Sequence, residues 1–307
     1  KVRQGSALKT LVVSSLAQML PFAKGLAMRV FARSKIARVD YGESVLRWDE
    51  FLEGGRKHGG KLPEIDPQAL ALLQYTGGTT GTPKGAMLTH ANLSINAQQV
   101  AGLNPYGDPS HEVFMGALPF FHVFANTALL NHAVVTGAAI AMVPRFDAKQ
   151  VLQTLEKHGA TGFPGVPTMF QALLDHPDLD KTDVSSLRVC ISGGAPLPAP
   201  LREKFEARTG VRLVEGYGLT ESSGVISTNP YEGIRKPGTI GQVVMQTEVL
   251  LLDKEDPTVL AAEGEPGELA LHGPQIMQGY WNRPDAAKDV FVEHQGKTRL
   301  RTGDVAT

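Results

Sequence analysis

Short apolar runs alternate with longer stretches of helical periodicity in the middle of the chain. The apolar runs are residues 112–118, 138–143, 187–191 and 211–214, and the helix-like stretches are residues 123–135, 146–158 and 198–209. Upstream, residues 70–75 and 90–102 add one further run and one further helix-like stretch. Asp147 stands where it would cap the N-terminus of a helix. Strand–helix alternation with glycines at the strand ends is typical of a helix-covered parallel sheet, so the sequence predicts an α/β fold.

The texture changes beyond Pro237, where short apolar runs such as residues 248–252 and 268–272 are separated by glycine and proline. This pattern predicts a β-rich subdomain. Residues 54–67 are polar and rich in turn formers, which predicts a connector. The sequence therefore predicts three parts: a leader with its connector (residues 1–60), an α/β region (residues 61–236) and a β-rich region (residues 237–307).

Charge and cysteine content exclude some classes of protein. The net charge is −1 at pH 7, which gives no electrostatic basis for nucleic-acid binding. A single cysteine, Cys190, excludes an internal disulfide framework and is consistent with a reducing compartment. No run reaches 18 uninterrupted apolar residues, so no membrane-spanning helix is predicted. The chain begins with Lys1 and ends in residues that read like the middle of a protein, so we interpret it as a fragment.

The first 39 residues carry eight basic side chains and no acidic one, which leaves 22 basic and 31 acidic residues in the remainder. Apolar runs lie among these basic residues, at residues 11–13, 19–22 and 26–31. Two interpretations remain open. One is a segment that binds a membrane surface, and the other is a helix packed on the protein with its basic side chains in solvent. Pro21 and Gly25 are expected to interrupt a single long helix.

A glycine- and threonine-rich tract at residues 75–85 is the strongest functional signal. Glycines let the backbone approach an anion, threonine hydroxyls add donors, and Lys84 adds a point charge. The tract is predicted to follow a strand and to precede a helix, the usual place of a phosphate-binding turn. Thr82 and Pro83 separate Gly81 from Lys84, so the tract does not have the spacing of a P-loop NTPase.

The tract Thr-Gly-Gly-Thr-Thr-Gly-Thr-Pro-Lys-Gly, with Met-Leu-Thr-His-Ala-Asn at residues 87–92, resembles the signature of adenylate-forming enzymes. That superfamily includes acyl-CoA synthetases, firefly luciferase and adenylation domains of peptide synthetases. Further motifs follow in the family's order: Ser-Gly-Gly-Ala-Pro at residues 192–196, Gly-Tyr-Gly-Leu-Thr-Glu at residues 216–221, Gly-Glu-Leu at residues 267–269, Gly-Tyr-Trp-Asn at residues 279–282 and Arg-Thr-Gly-Asp at residues 301–304. The resemblance covers residues 66–307 and implies the large domain of that fold, with parallel α/β layers and a barrel-like β-rich subdomain.

The resemblance also implies a set of nucleotide-binding residues. These are Thr76, Gly77, Gly78, Thr79, Thr80, Gly81, Thr82, Pro83, Lys84, Gly193, Gly194, Ala195, Gly216, Tyr217, Gly218, Thr220 and Asp304. By the same resemblance the Tyr217 ring lies against adenine, the Thr220 hydroxyl contacts phosphate and Asp304 accepts hydrogen bonds from the ribose. Glu221 and Thr76 are implied as ligands of Mg²⁺, for which oxygen atoms are suitable donors. The implied catalytic residues are Thr80, Lys84, His122 and Glu221.

Residues 118–125, Leu-Pro-Phe-Phe-His-Val-Phe-Ala, match the family's acid-pocket motif. No aspartate stands there to pair with an amino acid's ammonium group, so the resemblance implies a fatty or aryl acid. The implied acyl-binding residues are Phe121, His122, Gly165, Val166 and Gly241. For His122 a satisfied core histidine is the alternative interpretation. The leader resembles that of bacterial long-chain fatty-acid–CoA ligases, and medium-chain and aryl substrates remain alternatives.

The resemblance implies a two-step reaction in which ATP and a fatty acid give an acyl-adenylate, which CoA then converts to a thioester. The cofactor implied is Mg²⁺, the co-substrates are ATP and CoA, and the location is cytoplasmic, with a peripheral position on the inner membrane face as the finer expectation. In the family a C-terminal domain with an essential lysine follows the Thr-Gly-Asp element, so the fragment is expected to make little acyl-CoA alone. The rival functions are a P-loop kinase or NTPase, and a non-catalytic homologue that binds nucleotide or lipid.

Overall fold

A computed structural model describes Gly5, residues 7–76 and residues 82–307 of the chain. Within it the chain divides into two units, Lys1–Glu64 and Ile65–Thr307. The three-part division drawn from composition stays a prediction. None of the helices in the described ranges combines the length and the apolar composition needed to cross a membrane.

The first unit is built from strand β1 (Leu11–Val13), helices α1 (Leu16–Met19) and α2 (Phe22–Phe31), strand β2 (Val45–Arg47) and helix α3 (Trp48–His58). Strands β1 and β2 pair in parallel, with Leu11 opposite Val45. Pro21 separates α1 from α2, as expected, and it is the N-cap residue of α2. Gly25 does not interrupt the helix. Gly25 is buried within α2, against α1. The position requires glycine, because a Cβ there would come within 2.4 Å of the Ala17 carbonyl oxygen.

The predicted connector begins later than residue 54. Helix α3 continues through Gly54 and Gly55 to His58, and it ends at Gly59, whose φ of +56° is the left-handed conformation that terminates many helices. Asp49 and Glu50 in its first turn and Arg56 and Lys57 in its last turn complement the helix dipole, which offsets the low helix propensity of the two glycines.

The second unit opens with a hairpin, which corrects the expected position of the Gly/Thr tract. Strand β3 (Leu70–Thr76) pairs antiparallel with strand β4 (Lys84–Thr89), and Thr76 lies opposite Lys84. Helix α4 (His90–Ala101) begins only after β4, with the Thr89 side chain accepting a hydrogen bond from the Asn92 N–H. The tract therefore lies between two strands, and the residue that follows it, Lys84, begins strand β4 rather than a helix.

The central sheet has the order β11-β10-β9-β8-β7-β5-β6. Its strands are β5 (Val113–Gly116), β6 (Ala139–Met142), β7 (Gly162–Gly165), β8 (Val189–Ser192), β9 (Arg212–Tyr217), β10 (Ser227–Thr228) and β11 (Gln242–Val243). Strands β5 to β9 are parallel, and β10 and β11 add antiparallel pairs at one edge. The prediction of a parallel α/β sheet is confirmed.

Helices cover both faces of this sheet. They are α4, then α5 (Val123–Ala125), a π-helix (Asn126–Asn131) and α6 (His132–Thr136), and also α7 (Ala148–His158), α8 (Pro167–Leu174) and α9 (Ala199–Thr209). The Asp147 carboxylate accepts a hydrogen bond of 2.9 Å from the Gln150 N–H, which confirms the predicted N-cap of α7. On the face covered by α7, α8 and α9, the Phe170 ring centroid lies 5.2 Å from that of Phe163 and 5.3 Å from that of Phe205.

The two faces of the sheet are filled differently. Phe163 of β7 and Cys190 of β8 belong to the buried core beneath α7, α8 and α9. Their neighbours along the strands, Gly162, Val189 and Ile191, line a cavity. Because successive side chains of a strand point to opposite faces, the cavity lies on the face away from that core.

The β-rich part of the second unit is an antiparallel sheet of order β12-β13-β15-β14. Its strands are β12 (Glu248–Leu252), β13 (Gly267–His272), β14 (Phe291–His294) and β15 (Lys297–Ala306), and helix α10 (Pro284–Lys288) precedes β14. Asp304 lies in β15, and Tyr280 lies in the segment before α10.

Candidate functional site

One cavity of about 290 Å³ brings together residues from distant parts of the second unit. The predicted site residues that line it are Thr76, His122, Gly193, Gly194, Gly216, Tyr217, Gly218, Thr220 and Glu221. Most of them lie at or just after the carboxyl ends of β8 and β9. Open α/β sheets bind their ligands at this edge, because the loops that leave parallel strands converge there.

The turn after β9 requires glycine. A Cβ on Gly218 would lie 1.9 Å from the Gly224 carbonyl oxygen, so the chain can fold back on itself only without a side chain there. The turn is closed by hydrogen bonds between Leu219 and Ser222, at 3.1 Å from the Leu219 N–H to the hydroxyl and 3.0 Å from the hydroxyl to the Leu219 carbonyl. Thr220 and Glu221 lie within this turn and line the cavity.

Tyr217 and Asp304 lie together although 87 positions separate them in the sequence. The Tyr217 hydroxyl donates a hydrogen bond of 2.5 Å to Oδ2 of Asp304. Burial raises the pKa of Tyr217, and the hydrogen bond to Asp304 raises it further, so the phenol stays protonated and acts as the donor. The Asp304 carboxylate is exposed, and it lies at the rim of the site although it does not line the cavity.

A second phenol holds the second carboxylate. The Tyr280 hydroxyl donates a hydrogen bond of 2.6 Å to Oε1 of Glu221, and Nζ of Lys84 lies 5.2 Å from the centre of the Tyr280 ring. Burial and the bond to Glu221 raise the pKa of Tyr280. The segment that carries it continues the β3–β4 sheet, since the Trp281 N–H donates to the Gly85 carbonyl at 2.8 Å. Tyr280 thus joins Lys84 to Glu221.

Sequence reasoning assigned no role to Tyr280. Its motif, Gly-Tyr-Trp-Asn at residues 279–282, was visible as one of the later signatures. Its contacts with Lys84 and Glu221 could not be predicted from the sequence, because those residues are 196 and 59 positions away. The signal that could have identified it is a tyrosine within a family motif, and a phenol is a donor suited to a carboxylate.

His122, in the acid-pocket motif, is exposed and lines the cavity. Its Nδ1 accepts a hydrogen bond of 3.2 Å from the Phe124 N–H, so the ring caps helix α5. The alternative interpretation of a satisfied core histidine is therefore wrong. Phe121 is 81% exposed and does not line the cavity. Its carbonyl accepts a hydrogen bond of 3.0 Å from the Gln74 side chain.

Four other predicted residues surround the cavity without lining it. Gly165 is buried at the end of β7, where its carbonyl accepts a hydrogen bond of 3.1 Å from the Gly193 N–H. Val166 lies 3.7 Å from the position of a Cβ on Gly194. Gly241 has φ +84° and packs on the backbone of Thr228, where a Cβ would come within 2.2 Å. Ala195 is exposed.

The centre of the Gly/Thr tract, Gly77, Gly78, Thr79, Thr80 and Gly81, lies outside the described residues. Thr82 and Pro83 are exposed beside it. Over the part of the chain that the structure describes, no group of three or more His, Cys, Asp or Glu side chains is placed to hold a metal ion. A metal at Glu221 would therefore need ligands from a bound substrate.

The cavity continues beyond the motifs into an interior that apolar side chains line together with Asn104, Glu112 and Thr161. Val100 and Leu103 from α4 and its following loop, Phe114 of β5 and Val189 of β8 line this inner part. His132 lies there with 5% of its surface exposed, and burial lowers its pKa, so the ring is neutral at pH 7. A single space thus joins a polar end at the strand termini to an apolar end beneath α4.

Residues 9–281 match the family model described as AMP-binding enzyme. The chain is similar to a long-chain-fatty-acid–CoA ligase of Bacillus subtilis, at 38% identity over 99% of this chain and 54% of that protein. It is also similar to 4-coumarate-CoA ligase 1 of Narcissus pseudonarcissus, at 37% identity over 80% of this chain and 46% of that protein. The chain therefore spans about half the length of these curated relatives.

Solved structures share the fold. ATP-bound MatB from Rhodopseudomonas palustris superposes with a TM-score of 0.77 at 29% identity, over 97% of this chain and 56% of that one. A long-chain-fatty-acid-CoA ligase (FadD1) from Archaeoglobus fulgidus superposes with a TM-score of 0.75 at 29% identity, over 97% of this chain and 60% of that one. The predicted fold, the large domain of the adenylate-forming enzymes, is confirmed.

Proposed function

The chain belongs to the family of AMP-binding enzymes, and from this premise we propose that it is the ATP- and acid-binding part of an AMP-forming long-chain fatty acid–CoA ligase. The observation that carries the proposal is the single cavity that joins the strand-end motifs to an apolar interior. An acyl-adenylate has the same two ends, a nucleotide and a hydrocarbon chain. The relatives named as long-chain-fatty-acid–CoA ligases support this choice of acid.

At the nucleotide end, the proposed roles follow from the chemistry of the side chains. The Tyr217 ring offers an aromatic face for adenine, and Asp304 is an exposed acceptor for the ribose hydroxyls. Gly193 and Gly194 leave the adenine plane free of side chains. Thr76, Thr220, Lys84 and the rest of the Gly/Thr tract from Gly77 to Pro83 would surround the phosphates.

Mg²⁺ fits this site as a partner of ATP rather than as a resident metal. Glu221 lines the cavity, and Tyr280 occupies one of its oxygens, which leaves the other for a cation. The threonine hydroxyl of Thr76 is a second oxygen in the same cavity. Mg²⁺ is commonly held by one or two carboxylates together with substrate phosphates, and it would neutralise charge on those phosphates during the reaction.

The proposed reaction proceeds in two displacements. A carboxylate oxygen of the fatty acid attacks the α-phosphorus of ATP, and the bond from that phosphorus to the β-phosphate bridging oxygen breaks to release pyrophosphate. The thiol sulfur of CoA then attacks the acyl carbon, the bond to the AMP oxygen breaks, and the thiol proton is lost. Positioning and charge neutralisation by Lys84, Thr80 and Glu221 would carry the first step. His122, at the mouth of the acid pocket, would contact the carboxylate.

Alternatives differ in the acid or in the chemistry. A medium-chain or aryl acid remains a candidate, and the similarity to a 4-coumarate-CoA ligase favours testing it. A P-loop NTPase is disfavoured, since Lys84 begins the second strand of the β3–β4 hairpin and does not lie at a helix N-terminus. A non-catalytic homologue would bind the nucleotide and form no adenylate.

Pyrophosphate exchange with ATP tests the proposal. We expect exchange that depends on palmitate in the full-length protein, and we expect Glu221→Gln to lower its rate by about tenfold to a hundredfold, because a carboxamide lacks the charge that Mg²⁺ prefers. Glu263→Gln, the same change at an exposed carboxylate that does not line the cavity, is the matched control. Exchange with 4-coumarate but not with palmitate would transfer the proposal to an aryl acid, and nucleotide binding without exchange would support the non-catalytic homologue.

We further propose that the first unit binds an anionic membrane surface, which would place the protein on the inner face of the membrane. Phe22, Leu26 and Val30 recur along one side of α2, with 86%, 50% and 61% of their surfaces exposed. Exposed basic residues accompany them: Lys9, Lys24, Arg29, Arg33 and Arg38. Each basic residue near an anionic surface contributes about 1 kcal/mol, so four of them would raise partitioning by about a thousandfold.

Co-sedimentation with vesicles tests this second proposal. We expect the chain to bind phosphatidylglycerol-containing vesicles at low salt and to bind them less at high salt, since screening acts over about 8–10 Å. Lys24→Gln with Arg29→Gln should weaken binding, whereas Arg56→Gln with Lys57→Gln in α3 is the matched control. Equal binding to phosphatidylcholine vesicles, or equal loss in both double variants, would leave the solvent-exposed helix as the better interpretation.

A further inference from the structure

Two tyrosines, Tyr106 and Tyr231, line the inner end of the cavity. Tyr106 lines the cavity from the segment after α4, and its ring centre lies 5.4 Å from the guanidinium carbon of Arg188. Its hydroxyl approaches the carbonyl oxygens of Arg188 at 3.4 Å and of Tyr231 at 3.5 Å. Three segments that are distant in sequence therefore meet at this ring, at the amino ends of β8 and β9 and opposite the nucleotide motifs.

The depth of the cavity follows from the strand that runs beside it. Val189, the first residue of β8, and Gly193, the residue after its last, both line it. Four residues of strand advance about 13 Å in total. A fully extended carbon chain advances about 1.2 Å per bond, since three backbone bonds span about 3.6 Å. The space between the nucleotide end and Tyr106 is thus long enough for about ten or eleven bonds of an acyl chain.

Tyr106 is held more loosely than its neighbours. Arg188 is fixed by Glu112, a side chain 4% exposed, through a contact of 2.6 Å between Nη1 and Oε1. The two contacts of the Tyr106 hydroxyl, at 3.4 and 3.5 Å, are longer than the roughly 2.5–3.0 Å of an ordinary O–H···O hydrogen bond. Tyr106 also lies in a short segment next to Gly107, whose φ of +90° is readily available only to glycine. The ring is the part of this closure that can move, while the Glu112–Arg188 pair stays in place.

We propose that Tyr106 is the plug that sets how long an acyl chain the cavity accepts in its closed form, and that longer chains must displace its ring. The inference rests on the proposed function, because it takes the inner cavity as the place of the acyl chain. Chains of about twelve carbons or fewer would fit beneath the closed ring. A sixteen-carbon chain would pass the ring toward the exposed end of Arg188.

The test measures binding of acyl sulfamoyl-adenosines with eight, twelve and sixteen carbons in the acyl chain. Relative to the parent chain, we expect Tyr106→Ala to raise the affinity for the sixteen-carbon compound over the eight-carbon one by about tenfold, because the steric cost of displacing the ring is gone. Tyr106→Trp should shift this ratio in the opposite direction. Tyr106→Phe keeps the ring and should leave the ratio within about twofold, which is the matched control.

The result that would overturn the inference is an affinity ratio unchanged in both Tyr106→Ala and Tyr106→Trp. Adenosine sulfamate without an acyl chain should bind all four proteins equally, which shows that the variants are folded at the nucleotide end. Were Tyr106→Ala to misfold, Tyr106→Leu would remove the aromatic ring with a smaller loss of volume. If no acyl compound bound even the parent better than adenosine sulfamate, the proposed function itself would fail, which is distinguishable from an unchanged ratio.

Discussion

Two phenols position the two carboxylates of the site. Tyr217 donates to Asp304, and Tyr280 donates to Glu221. A carboxylate that accepts a hydrogen bond from a buried, protonated phenol loses rotational freedom, so its remaining oxygen keeps one orientation toward the ligand. In both pairs burial keeps the phenol protonated, so the direction of donation does not change across the physiological pH range.

Removing the Tyr280 hydroxyl tests whether this positioning matters. Tyr280→Phe keeps the ring beside Lys84 and removes the bond to Glu221. A hydrogen bond to a charged group contributes about 1.5–3 kcal/mol, so we expect pyrophosphate exchange to fall by about tenfold to a hundredfold. The loss should shrink as Mg²⁺ is raised, because the free carboxylate would still bind the cation, only more weakly.

The adjacent Trp281 supplies the control for that experiment. It is 45% exposed and its N–H is bonded to the Gly85 carbonyl, so Trp281→Phe leaves the backbone pairing in place. Equal exchange rates and equal Mg²⁺ dependence in the parent and in Tyr280→Phe would mean that Glu221 does not depend on the phenol.

The sequence motifs identified which residues belong to the site more reliably than they identified which residues those side chains contact. Tyr217, Thr220 and Glu221 were recognisable because a motif names each of them, and the structure places all three on one cavity. Tyr106 gave no signal, since a lone tyrosine in a turn-rich segment has many ordinary explanations. Its contacts are with Arg188 and Tyr231, which lie 82 and 125 residues away, and contacts over that range are not visible in the local sequence.

At the scale of elements, the β3–β4 hairpin shows why one local prediction was wrong. Residues 84–89, Lys-Gly-Ala-Met-Leu-Thr, contain a single β-branched residue, so their local β propensity does not predict a strand. Their strand conformation comes from pairing with β3 on one side and with residues 278–281 on the other. Tertiary pairing thus overrode local propensity. By contrast, α7 was predictable from its N-cap and its apolar periodicity alone.

Helix α9 is tied to its surroundings by one carboxylate. Glu206 accepts hydrogen bonds from Arg235 through both guanidinium Nη atoms and from the Leu213 N–H at 2.8 Å. Burial acts to raise the pKa of Glu206, but these hydrogen bonds and the charge of Arg235 outweigh it and hold the pKa below its ordinary value of 4.5. The helix, strand β9 and the segment around residue 235 are thereby joined.

This ion pair predicts a pH-dependent effect on stability. A carboxylate with a lowered folded-state pKa stabilises the fold above its unfolded pKa, and this contribution is lost as the pH falls through the folded-state value. We expect Arg235→Gln to lower the free energy of unfolding by about 1–3 kcal/mol at pH 7, and the difference from the parent should diminish below about pH 4. Urea unfolding at several pH values measures it, with Arg283→Gln as a control. A difference that is constant from pH 3 to pH 7 would contradict the assignment.

At the scale of the whole molecule, the central sheet has a packed core on one face and the ligand cavity on the other. Its one face is filled by the core that includes Phe163, Phe170 and Phe205, and its other face leaves the cavity. The alternation of strands and helices predicted this sheet, but it could not predict which face would stay open. That depends on how closely α4 and the helical segment from residue 123 approach the sheet. Gly162 leaves room for the Phe114 ring on this face, since a Cβ on Gly162 would lie 2.8 Å from that ring.

The division into two units predicts where a ligand will protect the chain. Every residue that lines the cavity lies between Thr76 and Tyr231, within the second unit. A ligand present at a hundred times its dissociation constant stabilises the folded state that binds it by about 2.7 kcal/mol, which slows hydrogen exchange through global opening of that unit by about a hundredfold. With a dodecanoyl sulfamoyl-adenosine we therefore expect slower exchange in β7, β8 and β9.

Peptides from β1, α2 and α3 serve as the internal reference and should exchange at unchanged rates. Slower exchange spread equally over both units would show that the two respond as one cooperative body, and unchanged exchange in β8 and β9 would place the ligand elsewhere.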